Sequence, residues 1–180
     1  MNKLLSMLLF AACLPAATVN TTVTINGSGT SSSGNISATG PVTLSGIGSG
    51  TISSNFSLIT AALSGSAPLT ITITAGNPTG SLTASLAGSL TLLAQVFAGT
   101  PGSSGPATLT ITAGTGGFAG TTGTLNVTAA GTGAGTTGSG VGTFSITGSG
   151  SLNIPNFTGG GGAGAPSAGQ ILNNYSYTLP

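Results

Sequence analysis

The sequence predicts an all-β chain: an antiparallel β-barrel of about eight strands, with a β-sandwich as the alternative. Short segments alternate apolar residues with Ser or Thr, which is typical of half-buried strands. Gly, Ser, Asn and Pro separate these segments, as turns require. The 180 residues, 38% of them hydrophobic, suffice for one domain with a core. Similar short sequence motifs recur, but not at a constant interval, which argues against a solenoid.

Residues 1–17 are typical of a secretory signal peptide. Lys3 supplies a short positive region, and the apolar stretch 4–14 is too short to span a bilayer. Small residues precede Thr18, which suits cleavage there. The alternative is a buried N-terminal helix, but no amphipathic or capped pattern follows. The signal therefore predicts a bacterial protein that is secreted or held at the cell surface.

Cys13 is the only cysteine of the chain. The residues before it loosely resemble a bacterial lipobox, which would make Cys13 a lipidated N-terminus. The other interpretation is an ordinary signal-peptide cysteine that is cleaved away, leaving a mature chain without charged side chains. Such a surface has no charge repulsion to keep copies apart. Anchoring at the cell surface, or membership of a larger protein, would relieve that problem.

Five segments after residue 18 show the strand alternation most clearly. In each of them the apolar residues fall on one face, and threonine or another polar residue falls on the other. The segment 89–99 fits either a helix or a strand, and its strand neighbours favour a strand. The alternating apolar residues are Val19, Val23 and Ile25; Leu69, Ile71 and Ile73; Leu109 and Ile111; Leu125 and Val127; Phe144 and Ile146.

The stretch 114–123, GTGGFAGTTG, gathers five glycines around one aromatic residue, Phe118. A dinucleotide-binding loop needs G-x-G-x-x-G/A between a strand and a helix, with an acidic residue further on. Only the short glycine pattern is met, because a strand-like segment follows and the chain has no Asp or Glu. The stretch does not match a Walker A loop either, because it contains no lysine. The five glycines are Gly114, Gly116, Gly117, Gly120 and Gly123.

A β-hairpin explains these glycines better than a phosphate-binding loop does. The alternating segments 107–113 and 122–129 flank them, and glycine adopts positive φ angles at little steric cost. We expect Phe118 to fold back and cap one end of the core. Gly120 and Gly123 are expected to leave room for its ring.

This hairpin carries a family resemblance. GTGGFAGTTGTLNV (114–127) is similar to the G-[ST]-G-x-F-x-G-x-x-G turn of the allene oxide cyclase and dirigent barrel families and of secreted bacterial proteins that look related. GVGTFSITGSGSL (140–152) would be the strand pair that follows. The resemblance covers 105–153 and implies an antiparallel barrel of about eight strands with a central cavity. The plant families' activities depend on charged or strongly polar cavity residues, which this chain lacks, so their activity is not carried over.

Beyond the predicted barrel, which we place at 18–157, the composition changes. TGGGGAGAPSAG, 158–169, is typical of a flexible linker. The tail 170–180 is expected to pack back as a last strand or to begin a further segment. It resembles the start of a later segment in large bacterial secreted proteins.

The residue types present in the chain predict that it is not an enzyme. Lys3 is the one basic residue, and Asp, Glu and His do not occur. Metal sites, general acid–base catalysis and activated serine nucleophiles need these residue types, and nucleic-acid binding needs Lys and Arg. The candidates for proton transfer are Tyr175 and Tyr177, both in the tail. We therefore expect no catalytic residue, no metal, no cofactor and no nucleic-acid partner.

Three functions stay open at this point. The first is a secreted, non-catalytic barrel with a structural or cell-surface role. The second is a barrel whose cavity holds a small apolar ligand. The third is ice or surface binding by threonine rows, although threonine is also a common strand residue. The rows are Thr22 and Thr24; Thr70, Thr72 and Thr74; Thr108, Thr110 and Thr112.

Overall fold

The chain forms a closed antiparallel β-barrel of eight strands, which confirms the predicted fold class and rules out the sandwich. The structure is a computed structural model that describes residues 16–88, 103–136, 139–155 and 157. In chain order the elements are β1 (Ala17–Ser32), β2 (Asn35–Leu44), β3 (Gly48–Ser57), α1 (Leu58–Ser64), β4 (Ser66–Gly76), β5 (Gly80–Ala87), β6 (Ser103–Gly116), β7 (Thr122–Thr136) and β8 (Ser139–Ile154).

Each strand pairs with the next along the chain, and β8 returns to pair with β1. The β1–β8 register is unbroken from Ala17↔Ile154 to Ser32↔Ser139. This pairing joins the first strand to the last, so the sheet closes on itself. A closed sheet presents no unpaired strand edge along its wall.

The two ends of the barrel differ. The turn end carries the start of β1, the end of β8, and the turns 45–47, 77–79 and 117–121. The helix end carries the β1–β2 turn at Ser33 and Gly34, together with α1. The amide of Leu58 donates to the carbonyl of Gly34 at 2.9 Å, which fixes the start of α1 against that turn.

The apolar residues of the five predicted segments face the interior, as the alternation indicates. All are buried except Val19, which is half-buried against the core. The threonines that alternate with them lie on the outer face, exposed or half-buried, whereas Thr21, which shares the inner face with Val19 and Val23, is buried. Full burial of one Leu or Ile side chain stabilises a fold by about 1.5–3 kcal/mol. The fully buried large side chains are Phe118, Ile25, Ile36, Leu44, Ile52, Ile71, Ile73, Leu82, Leu109, Leu125 and Leu152.

Inward-facing glycines allow neighbouring strands to approach where the wall bends. A Cβ at Gly50 would lie 1.8 Å from the carbonyl oxygen of Thr72 on β4. The β3–β4 register shifts between Ser49 and Gly50, which marks a bulge. Glycines and bulges of this kind supply the curvature that closes a barrel.

Several sequence predictions fall outside the described residues. They are the signal region up to residue 15, the segment 89–99, the linker 158–169 and the tail 170–180. The described strands run from Ala17 to Ile154, within one residue of the predicted start of the barrel at Thr18.

We expect Gly50→Ala to destabilise the barrel. Its Cβ would collide with backbone of the paired strand, which cannot rotate away as a side chain can. Overpacking of this kind costs about 1–3 kcal/mol or more of the free energy of unfolding. Urea unfolding followed by far-UV circular dichroism measures it, since the chain has no Trp.

The matched control is Thr51→Ala, at the neighbouring outward-facing position. It should cost less than about 1 kcal/mol, because it alters an exposed strand residue without a clash. Equal stability of Gly50→Ala and the unmodified chain would contradict the role given to Gly50.

Candidate functional site

The glycine stretch is a β-hairpin, as predicted. β6 ends at Gly116 and β7 begins at Thr122, with the turn 117–120 between them. Both strands extend beyond the segments 107–113 and 122–129. Gly116 and Gly120 have φ angles of 63° and 77°, in the left-handed region that favours glycine.

Backbone amides of this turn are already committed. Gly117 donates to the carbonyl of Thr79 at 3.0 Å, and Phe118 donates to that of Thr115 at 3.2 Å. Ala119 donates to Gly116 at 3.2 Å. A phosphate cradle needs amides that point together at a ligand. These three amides instead tie the hairpin to itself and to the β4–β5 turn.

Phe118 caps the core, as expected, with 0% of its side chain exposed. Gly120 does not provide the room around the ring, because the atom that its added Cβ would meet within 4 Å belongs to Pro155. For Gly123 the expectation stays a prediction. A Cβ at Gly114 would lie 2.1 Å from the carbonyl oxygen of Phe118 and 3.0 Å from its Cβ. A Cβ at Gly80, on β5, would lie 3.3 Å from the ring atom Cδ2.

The remaining glycines of the hairpin accommodate other parts of the wall. A Cβ at Gly117 would lie 2.4 Å from Cβ of Pro78, and one at Gly120 would lie 3.2 Å from Cγ of Pro155. A Cβ at Gly123 would lie 2.4 Å from the carbonyl oxygen of Ser151 on β8. The hairpin therefore docks on the β4–β5 turn and on the end of β8.

Thr121 is the buried polar residue of this hairpin. Its side chain is 0% exposed, and its Oγ1 has no hydrogen-bond partner. Its amide donates to the carbonyl of Phe118 at 2.9 Å, which closes the turn between β6 and β7. A buried hydroxyl without a partner costs about 1–3 kcal/mol.

Thr21, also buried, shows the opposite arrangement. Its Oγ1 donates to the carbonyl of Ser45 at 2.9 Å. The amide of Thr22 donates to Oγ of Ser45 at 2.8 Å, and the amide of Ser45 donates to the carbonyl of Thr22 at 2.9 Å. These bonds fix the β2–β3 turn to β1. The strand alternation places Thr21 on the inner face with Val19 and Val23, whereas Thr22 beside it is exposed.

The helix end contains a small apolar cavity of about 30 Å³. Its one polar side chain is Ser54, whose Oγ donates to the carbonyl of Pro68 across the β3–β4 gap. A cavity of this volume accommodates a water molecule at most, and apolar cavities stay dry. The lining residues are Ile36, Ala38, Ser54, Phe56, Ala67, Pro68, Leu69, Leu86, Phe144 and Ile146.

The outer face carries a hydroxyl belt, a row of exposed side chains at matched register from β7 through β8 and β1 to β5. Within it, Oγ1 of Thr132 and Oγ1 of Thr143 lie 3.1 Å apart. Part of the belt lines an open groove on the outside of β1, β2, β7 and β8. The belt consists of Thr132, Thr143, Ser28, Thr39, Ser53, Thr70 and Thr83.

The three threonine rows considered for ice binding do not lie side by side. They occupy β1, β4 and β6, which are separated by β2 and β3 and by β5. Ice binding requires adjacent rows on one flat face. The barrel wall does not provide that arrangement for these rows.

In the described part of the chain, no cluster of three or more His, Cys, Asp or Glu residues occurs that could hold a metal ion. Among the same residues, no helix has the length and apolarity needed to cross a membrane. Cys13, Tyr175 and Tyr177 lie outside the described residues.

No protein-family model matches this chain, and no curated protein matches it. The antiparallel eight-stranded barrel implied by the resemblance to allene oxide cyclases and dirigent proteins is present. An apolar space of about 30 Å³ lies inside the helix end, and the central cavity that the resemblance also implies stays a prediction. Kinship with those families stays a prediction.

Phe118→Ala should destabilise the barrel strongly. Removing a fully buried ring leaves a void at the turn end, and Phe→Ala changes in cores cost about 3–5 kcal/mol. Phe118→Leu keeps most of the apolar volume and should cost clearly less. Urea unfolding of both variants measures the difference. Equal losses would show that the ring's volume does not hold this end together.

Thr121→Val should stabilise the chain, by about 1 kcal/mol, because it replaces an unpartnered buried hydroxyl with a methyl group. Thr21→Val is the matched control. It deletes a bond to the carbonyl of Ser45 and should cost about 0.5–1.5 kcal/mol. Shifts of the same sign in both variants, measured by urea unfolding, would contradict this assignment.

Proposed function

We propose that this chain is a secreted, non-catalytic β-barrel with a structural role at the bacterial cell surface. The observation that carries the proposal is an interior occupied by the chain's own side chains. Phe118 closes the turn end, and large aliphatic side chains fill the barrel behind it. A ligand-binding barrel instead keeps its interior open.

The composition supports the same role. Proton transfer, nucleophile activation and metal binding each depend on residue types that the sequence lacks. A bound cofactor could still supply reactivity. The interior cavity of about 30 Å³ is far smaller than ligand pockets, which measure about 300–1,000 Å³. Two clefts on the barrel wall, of about 700 and 620 Å³, fall within that range but are open to solvent.

The outer face suits a module that stays hydrated without charge. The hydroxyl belt and the threonines above and below it offer donors and acceptors to water over most of the wall. Charge normally keeps proteins apart in solution, and this surface does not use it. Fixing the barrel at the cell surface would limit aggregation instead.

Anchoring is compatible with the topology. Ala17 pairs with Ile154, so the chain enters and leaves the barrel side by side at the turn end. A lipid on Cys13, or a larger protein reached through the linker, would each hold the barrel by that end. The helix end would then face away from the anchor.

We expect the full chain, expressed with a C-terminal epitope tag in a bacterial host, to be labelled by antibody on intact cells. The control is Leu8→Arg, which interrupts the apolar stretch of the signal and should leave the chain inside. An antibody is used because amine-reactive labels would find at most the α-amino group of the mature chain, since the one lysine, Lys3, lies in the predicted signal.

Native mass spectrometry of the exported protein completes the test. We expect no bound small molecule, and the first residue identifies the anchor. A start at lipid-modified Cys13 would mean that the chain holds itself on the cell, whereas a start at Thr18 would leave that role to a larger protein. A bound apolar ligand would favour the second function, and a bound redox cofactor would overturn the proposal. If the Leu8→Arg control labels intact cells as strongly as the unmodified chain does, export by this signal is contradicted.

A further inference from the structure

The barrel segment has no side chain that exchanges a proton with water at ordinary pH. Residues 18–157 contain no Asp, Glu, His, Lys, Arg, Cys or Tyr. The ionisable side chains of the chain are Lys3, Cys13, Tyr175 and Tyr177, and all four lie outside the described residues. The protonation state of the barrel segment is therefore fixed by its sequence.

Hydroxyl groups make side-chain hydrogen bonds that join neighbouring strands. Oγ1 of Thr39 on β2 donates to the carbonyl of Ile52 on β3 at 3.0 Å. Oγ1 of Thr112 on β6 donates to the carbonyl of Thr83 on β5 at 3.1 Å. Ser and Thr hydroxyls stay protonated between about pH 3 and pH 9, whereas carboxyl, imidazole and thiol groups titrate in that range. These bonds therefore keep the same donor and acceptor in acid and in alkali.

Folding of the barrel segment moves no proton on or off its own side chains. The stability of a fold changes with pH only where the folded and unfolded chains bind different numbers of protons. Acid unfolding in most proteins comes from paired carboxylates that must be protonated and from repulsion within a highly charged molecule. Neither cause exists within residues 18–157. Screening by salt is absent for the same reason, since it acts on charges.

We propose that the barrel is a pH-independent structural unit, which keeps the same shape and the same free energy of unfolding in acid, neutral and alkaline surroundings. The inference goes beyond the surface role, because it holds whether or not the chain is exported. It also defines what the described wall offers to a partner, namely hydroxyl hydrogen bonds and apolar contacts that acid and salt do not switch off.

The test is urea unfolding of the exported chain at several values between about pH 3 and pH 9, which covers carboxyl, imidazole and thiol titration. Far-UV circular dichroism follows unfolding at an ionic strength of about 0.01 M, where charge effects reach furthest. The sensor variant is Thr132→Asp with Thr143→Asp, because the two Oγ1 atoms lie 3.1 Å apart on the exposed wall. Its matched control is Thr132→Asn with Thr143→Asn, which keeps the shape of the new side chains without their charge.

We expect the urea midpoints of the unmodified chain and of the Asn variant to agree within about 0.3 M over the whole range. The midpoint of the Asp variant should fall between about pH 3 and pH 7, because like charges face each other across β7 and β8 once both carboxyl groups ionise. A midpoint of the unmodified chain that changes with pH as much as that of the Asp variant would overturn the proposal.

A second measurement counts the protons directly. The chain is unfolded in unbuffered urea with a pH indicator, and we expect neither uptake nor release of a proton at neutral pH. Exchange of about one proton per chain would overturn the proposal, since a group outside residues 18–157 would then be coupled to the folding of the barrel. The surface role fails separately, if intact cells are not labelled while the urea midpoints stay constant with pH.

Discussion

The pairing of β8 with β1 is the interaction on which the rest of the structure depends. It joins strands from the two ends of the described chain, without a break in register. Natural sheets that stay open protect their edges with charged side chains, proline or covering elements. This sequence has one charged residue, Lys3, and it lies in the predicted signal. Closure is therefore the means by which such a chain avoids presenting long unpaired strands to other copies.

Closure in turn explains where the inward glycines stand. A wall of eight strands must coil tightly, and a side chain at the sharpest bends would collide with the neighbouring backbone. Gly27 illustrates the compensation, because its partner in register is Phe144, whose ring atom Cζ would lie 2.4 Å from an added Cβ. The aromatic ring covers the bare backbone from the inside. Gly27 has no side chain to pack, and the ring of Phe144 on the neighbouring strand fills the space beside it.

Local patterns predicted much of this fold, because strand alternation and the glycine hairpin are properties of neighbouring residues. Phe118 could be assigned to the core from its hairpin alone. The glycine across the wall from it, Gly80, could not, because that contact depends on the register between β5 and β6. The hydrogen-bonding states of Thr21 and Thr121 could not be predicted either, because the acceptor for Thr21 is the carbonyl of Ser45, 24 residues away, and Oγ1 of Thr121 has no partner. The exposed pair Ile59 and Leu63 was missed because α1, with seven residues, is too short for a helical period to be recognised in the sequence.

The position of the chain exits also constrains how such a barrel bears load. Ala17 and Ile154 are paired, so force applied to both exits at once would separate β1 from β8 one pair at a time, beginning at the turn end. Unzipping of this kind loads a few hydrogen bonds at any moment and offers little resistance. Force applied through one exit and through the opposite helix end would instead act along the strands, where many pairs share it. The proposed structural role is therefore best served when the barrel is held by one exit and loaded at the helix end, because the strand pairs then share the force.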